Sequence, residues 1–128
     1  MWSKHSMTPT VLVVDDESVT RRLVIFALKT LIVEVLPAED ATEALQVANT
    51  HSIDLMLVDI NLPDIDGLTL IKYLREIPRL VNVPIISFTA RNDSDDETRA
   101  RELGAQGFLY KPFSTQELRE LVTYHLGT

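Results

Sequence analysis

Five side chains in this sequence could do chemistry together, and each stands at the end of a short apolar run. Asp15 and Asp16 follow TVLVV, Asp59 follows LMLV, Thr89 follows IISF, and Lys111 follows FLY. Three carboxylates in one small site repel each other and resist joint ionisation. A divalent cation between them relieves that conflict. Oxygen ligands with no histidine or cysteine among them point to Mg²⁺ or a similar hard ion. Mg²⁺ takes few protein ligands, keeps waters and bridges to phosphate oxygens. Lys111 adds a positive charge and Thr89 a hydroxyl. Acid, metal, cation and hydroxyl together form a phosphoryl site, in which a carboxylate can itself be the nucleophile and become an aspartyl phosphate. Singly, each acid also reads as a turn residue, Lys111 as a surface charge and Thr89 as a strand-end turn former. Their joint placement is what points to chemistry.

That placement requires strands whose ends share one edge. Leu55 to Val58 is apolar without polar alternation, as in a strand buried on both faces of a helix-covered parallel sheet. Pro63, Asp66 and Gly67 then break the chain into a loop. Thr10–Val14, Val33–Leu36, Ile53–Val58, Ile85–Phe88 and Phe108–Tyr110 read as strands, the second stopped by Pro37. Helices are expected between and after them. The first, Glu17 to Leu31, has Val19, Leu23, Phe26, Ala27 and Leu31 near one face. The second starts at a cap made by Asp40 and Glu43. Leu68–Glu76 is the third, with Pro78 just beyond it. The fourth runs from a Ser94–Glu97 capping box to Leu103, with Gly104 closing it, and the last starts at Ser114 and Glu117 and reaches about Leu126. Five strand–helix units imply an α/β fold, a doubly wound parallel sheet with helices on both faces and right-handed crossovers. Such sheets bind ligands at the carboxyl ends of their strands. Those ends carry Asp15, Asp16, Asp59, Thr89 and Lys111.

Composition narrows the function. The 128 residues suit one domain with one core, preceded by a loose tail over residues 1–9 that contains Trp2 and His5. No cysteine is present, which excludes disulfides, thiol chemistry and zinc fingers. No apolar run reaches the roughly 18 residues of a membrane span, and MWSKHSMTP lacks the apolar segment of a signal peptide. These features favour the cytoplasm. Twelve basic against nineteen acidic residues give a net charge of −7, which argues against nucleic-acid binding. No Gly-rich Walker loop appears, so a nucleotide is not the expected phosphoryl donor. His5, His51 and His125 follow no metal-ligand spacing and read as surface residues.

The pieces VLVVDDES, LMLVDINLPDIDG, IISFTA and GAQGFLYKPF, in that order and spacing, resemble the response-regulator receiver domains of two-component signalling. The resemblance covers about Thr10 to Leu126. It implies a flavodoxin-like (βα)5 fold with strand order 2-1-3-4-5, spanning residues 10–128. It implies that Asp59 is the phosphoacceptor, that Asp16 and Asp59 bind Mg²⁺ directly with the Asn61 backbone carbonyl as a third ligand, and that Asp15 holds the metal through water. Thr89 and Lys111 would contact the phosphoryl oxygens. Phe108 falls on the family's switch aromatic, Gly67 would let the loop after Pro63 turn, and the Lys111–Pro112 bond is expected to be cis. The partners implied are a histidine kinase or phosphotransfer protein and an unidentified downstream protein. Such a domain is not a conventional enzyme, although it catalyses its own aspartate phosphorylation and dephosphorylation.

From their spacing, Asn61, two residues after Asp59, and Arg91, two after Thr89, are expected to border the phosphoryl site. No effector domain follows Thr128, so output would pass to another protein, unless the chain is a fragment of a larger regulator or hybrid kinase. Two competing classes remain. A phosphatase-like hydrolase with an aspartate nucleophile would carry a second acid where Asn61 stands. A flavodoxin-like cofactor binder would carry a Ser/Thr/Gly-rich phosphate loop where this chain has DDES.

Overall fold

The computed structural model describes residues 8–90 and 94–127. The elements alternate without exception: β1 (Thr10–Val14), α1 (Ser18–Leu28), β2 (Glu34–Ala38), α2 (Ala41–Thr50), β3 (Leu55–Asp59), α3 (Gly67–Arg75), β4 (Ile85–Thr89), α4 (Ser94–Glu102), β5 (Gly107–Tyr110) and α5 (Thr115–Leu126), with a 3-10 turn at Pro78–Leu80. The strands form one parallel sheet in the order β2-β1-β3-β4-β5. The expected strand order and fold class are those observed.

Successive residues of a strand face opposite sides of the sheet, so each apolar run feeds two cores. Leu12, Val14, Met56, Val58 and Ile85 pack with α2 and α3 on one side. Val11, Val13, Leu55, Leu57, Ile86 and Phe88 pack with α1 and α5 on the other. Each fully buried aliphatic side chain contributes about 2 kcal/mol. All five residues of β3 are buried, as its unbroken apolar run requires.

Local signals fix the helix ends. The Asp40 carboxylate accepts from the Glu43 amide, Asp66 from that of Thr69, and Ser114 and Glu117 make a reciprocal capping box. Gly104, at φ +114°, supplies the left-handed residue that ends α4.

Several expectations need correction. Pro37 does not stop β2, which runs to Ala38 with Val13 paired to Pro37. β2 is an edge strand, where a missing amide hydrogen is tolerated. Helix α1 ends at Leu28, not Leu31, and buries Val24, Ala27 and Leu28. Val19 and Phe26, expected on its inner face, are exposed. His125 is half-buried rather than on the surface, its ring edge-on to Tyr124. Gly67 is needed for a close approach: a Cβ there would collide with the Asp59 carbonyl oxygen and the Ile60 Cα. Trp2, His5, most of the expected tail, Arg91 and the side chain of Ser94 in its expected capping box lie outside the described residues.

Candidate functional site

Because the strands are parallel, their carboxyl ends line one edge, and adjacent register brings the polar residues together. Val14 pairs with Val58, Asp59 with Phe88 and Thr89 with Tyr110. One carboxylate oxygen each from Asp15, Asp16 and Asp59 falls within a cluster whose members all lie within 4.8 Å of one another. Asp15 and Asp59 are buried while Asp16 is exposed, so the cluster opens to water on one side.

Lys111 is the counterweight. Its Nζ lies 2.6 Å from Asp15 Oδ2, 3.1 Å from Asp59 Oδ2 and 3.1 Å from Glu17 Oε1. One ammonium against three clustered aspartates leaves a net negative centre, and an all-oxygen donor set of this charge suits a hard divalent cation. Burial pushes the Asp59 carboxyl up to about 6, against the opposing pull of the Asn61 amide and Lys111 and with a further push from Asp15. Burial alone would lower Lys111, but hydrogen bonding and charge from Asp15 and Asp59 reverse this and hold the ammonium above its ordinary value. Glu17 sits below its ordinary value because Lys111 donates to it.

The remaining site residues are oriented by short local contacts. The Asn61 amide donates to Asp59 Oδ1 at 2.9 Å. The buried Thr89 hydroxyl donates to the Asn61 side-chain oxygen. The Lys111 amide donates to the Thr89 carbonyl at 2.8 Å, tying the ends of β4 and β5, and the Lys111–Pro112 bond is cis. Phe108 is half-buried beside the core and meets Tyr110 edge-on, with ring centroids 5.1 Å apart. A cleft of about 390 Å³ lined by Asp16, Asn61 and Pro63 opens beside the carboxylates. A second, of about 460 Å³, is lined by Glu17, Leu23, Lys111 and Phe113.

Every expected site residue among those described therefore converges on this edge, with Phe108, paired to Ser87, two positions back along the register. Three residues escaped the sequence reading. Glu17 is the third carboxylate on Lys111, and its only signal was its place after Asp15 and Asp16. Tyr110, beside Lys111, donates to Glu97 of α4 at 3.0 Å. Asp64 reaches the start of α2, 22 and 23 residues earlier in the chain. The position where a phosphatase-like hydrolase would carry its second acid holds Asn61, bonded to Thr89.

A flavodoxin-like (βα)5 fold with clustered acids, a hydroxyl and an ammonium on its carboxyl edge defines the class of this protein. Residues 11–123 match the family model of the response regulator receiver domain, and the chain belongs to that family of two-component signalling. It is 32% identical over 121 residues to the polar-differentiation response regulator DivK of Brucella ovis, spanning 94% of this chain and 98% of that protein. Among solved structures it resembles the chemotaxis response regulator CheY4 of Vibrio cholerae, with TM-score 0.87, 29% identity and coverage of 92% and 98%. A response regulator from Chloroflexus aurantiacus superposes with TM-score 0.89 at 35% identity, covering 94% of this chain and 99% of that one. The protein is thus a receiver domain, a module of phosphorelay signal transduction. Receiver domains generally bind Mg²⁺ at an acidic pocket and interact with histidine kinases or phosphotransfer proteins and with downstream effectors. Among the described residues, no helix is long and apolar enough to cross a membrane.

Proposed function

We propose that Asp59 accepts a phosphoryl group from the phosphohistidine of a histidine kinase or phosphotransfer protein, and that residues 10–128 act as one cytoplasmic receiver unit behind a short tail. The observation that carries this reading is the setting of Asp59. Its carboxylate is buried at the end of the central strand, with Lys111 Nζ and the Asn61 amide each on one oxygen.

The Asp59 carboxylate attacks phosphorus, so an oxygen–phosphorus bond forms as the donor's nitrogen–phosphorus bond breaks. A carboxyl held near 6 is mostly ionised at neutral pH and able to attack. Lys111 offers its ammonium to the phosphoryl oxygens while keeping Asp15 as its second partner. Asp15, Asp16, Asp59 and the Asn61 carbonyl would hold Mg²⁺, Asp15 through water. Bound there, the ion would offset the charge that develops on the transferring oxygens.

The acceptor site also supplies a switch. New phosphoryl oxygens compete with Asn61 for the Thr89 hydroxyl. Thr89 turning toward them frees space beside Phe108, whose ring can then be buried more fully. Tyr110, in edge contact with Phe108, carries the change to α4 through Glu97. The surface presented to the downstream protein would change at α4, β5 and α5.

The test is intact mass after incubation with acetyl phosphate and Mg²⁺. One added phosphate is expected on the wild type and none on Asp59→Asn. Equal labelling of the two would reject Asp59 as the acceptor.

A further inference from the structure

The loop that follows Asp59 is tied to a helix it does not belong to. Asp64 Oδ1 accepts from the Ala41 amide at 3.1 Å, and Oδ2 accepts from the Thr42 amide at 3.1 Å and the Thr42 hydroxyl at 2.9 Å. Those amides are the first two of α2, and a helix start leaves its first amides without intrahelical partners. Helix α2 already has its own cap: Asp40 Oδ1 accepts from the Glu43 amide at 2.8 Å, and Glu43 turns back onto the Glu39 amide. Asp64 takes the two amides that this local cap leaves over. The slight desolvation of this exposed carboxyl acts to raise it, but the amides of Ala41, Ile65 and Thr42 with the Thr42 hydroxyl outweigh this and hold it well below the usual carboxylate range.

The consequence falls on the phosphoryl site. Between Asn61 and Asp64 stand only Leu62 and Pro63, and proline fixes its own φ. Leu62 and Ile65 pack on the core on either side. Beyond them, Asp66 caps α3 and the Gly67 amide donates to the Ile60 carbonyl at 2.7 Å. With so little slack, the height of Asn61 above the sheet edge is set by where Asp64 is held. Asn61 donates its amide to Asp59 and accepts from Thr89 through its side chain, and its carbonyl is the one that would bind the metal on the proposed reading.

We propose that Asp64 is a positioning residue for the phosphoryl site, docking the β3–α3 loop on the start of α2 and thereby fixing Asn61. This rests on the reading of Asp59 as acceptor and Asn61 as a metal ligand. It differs from simple helix capping, because a cap acts on α2 alone, whereas a dock acts on the far side of the contact.

The experiment compares Asp64→Ala and Asp64→Asn with Asp40→Ala in the full chain. Asp40→Ala removes a cap from the same helix without touching the loop. Mg²⁺ affinity is measured by calorimetry, and decay of the phosphorylated protein by intact mass after the phosphodonor is removed. Asp64→Ala is expected to weaken Mg²⁺ by at least about threefold, less than losing a group bonded directly to a ligand costs, and to change the decay rate by a similar factor. Asp64→Asn, which keeps one acceptor oxygen, should fall between it and wild type, and it carries the test if Asp64→Ala fails to fold. Asp40→Ala should lower the melting temperature yet leave Mg²⁺ affinity and decay at wild-type values. Unchanged affinity in both Asp64 variants, or an equal loss in Asp40→Ala, would overturn the proposal. A wild type that binds Mg²⁺ but takes up no phosphoryl group would instead overturn the acceptor reading, and the affinities would still decide the role of Asp64.

Discussion

The two helices flanking β4 on one face of the sheet are held in contrasting ways. Helix α3 buries Leu68, Leu70, Ile71 and Leu74, is capped by Asp66, and ends on Arg75, whose guanidinium donates to the carbonyls of Leu80, Val83 and Gly104. Among the described residues of α4, the buried side chains are those of Asp96 and Ala100. Glu97 links α4 to Tyr110 of β5 and pairs with Arg101 along the helix. At about 2 kcal/mol per fully buried aliphatic side chain, packing holds α3 several-fold more firmly than α4. The elements that respond in a switch come from the weakly held end of a structure. On the proposed reading, the chemistry is built on the anchored side, around β3 and its loop, and the side that would report it is α4 with β5.

The largest effect that should separate the two sides is a core truncation. Leu70→Ala is expected to destabilise the fold by about 3 kcal/mol, and Ala100→Gly, in α4, by about 1 kcal/mol. Urea denaturation measures both, and equal losses would erase the contrast.

The next concerns the charge stored on the anchored side. The Asp59 carboxyl stands near 6 in the folded protein against an ordinary 3.8. Between those values the folded state binds the proton more tightly than the unfolded chain. The destabilisation it causes is thus fully present above about pH 6 and disappears as pH falls through 6 toward 4. Asp59→Asn should stabilise the metal-free protein by about 1–2 kcal/mol near pH 7.5, and that gain should fade toward pH 4. A gain that stays constant with pH would mean that burial of this charge is not the cause.

The smallest effect belongs to the loose side. Tyr110→Phe keeps the ring against Phe108 but removes the bond to Glu97. With a bond worth about 1 kcal/mol, hydrogen exchange of α4 amides should quicken about fivefold. Exchange around Asp59 and Asp64 should be unaltered, and a uniform increase would deny that Tyr110 restrains α4 in particular.

The anchored side was largely legible in the sequence. β1, β3 and β4 are mostly apolar, with Ser87 the one polar residue inside β4, because both sheet faces are covered, and their polar ends announce the site directly. Ser114 and Glu117 announce the start of α5 in the same way. Helix α1 was not legible in detail: apolar residues occur on both faces, and Val19, Leu23 and Phe26 make as regular a stripe as the buried Val24, Ala27 and Leu28. Pro37 misled because nothing local marks β2 as an edge strand. The docking of Asp64 on Ala41 and Thr42, and of Tyr110 on Glu97, depends on contacts between segments that periodicity cannot align. A carboxylate in a loop and a tyrosine at a strand end each have ordinary local explanations.

The central claim, a fixed chemical side that drives a loosely held reporting side, is tested most directly by amide NMR shifts with and without the phosphoryl mimic beryllofluoride in Mg²⁺. The expected result is change spreading from Asp59 through Thr89 to Phe108, Tyr110 and residues 94–102, with little change along α3 from Leu68 to Leu74. Shifts confined to Asp15, Asp16, Asp59 and their immediate neighbours would contradict it.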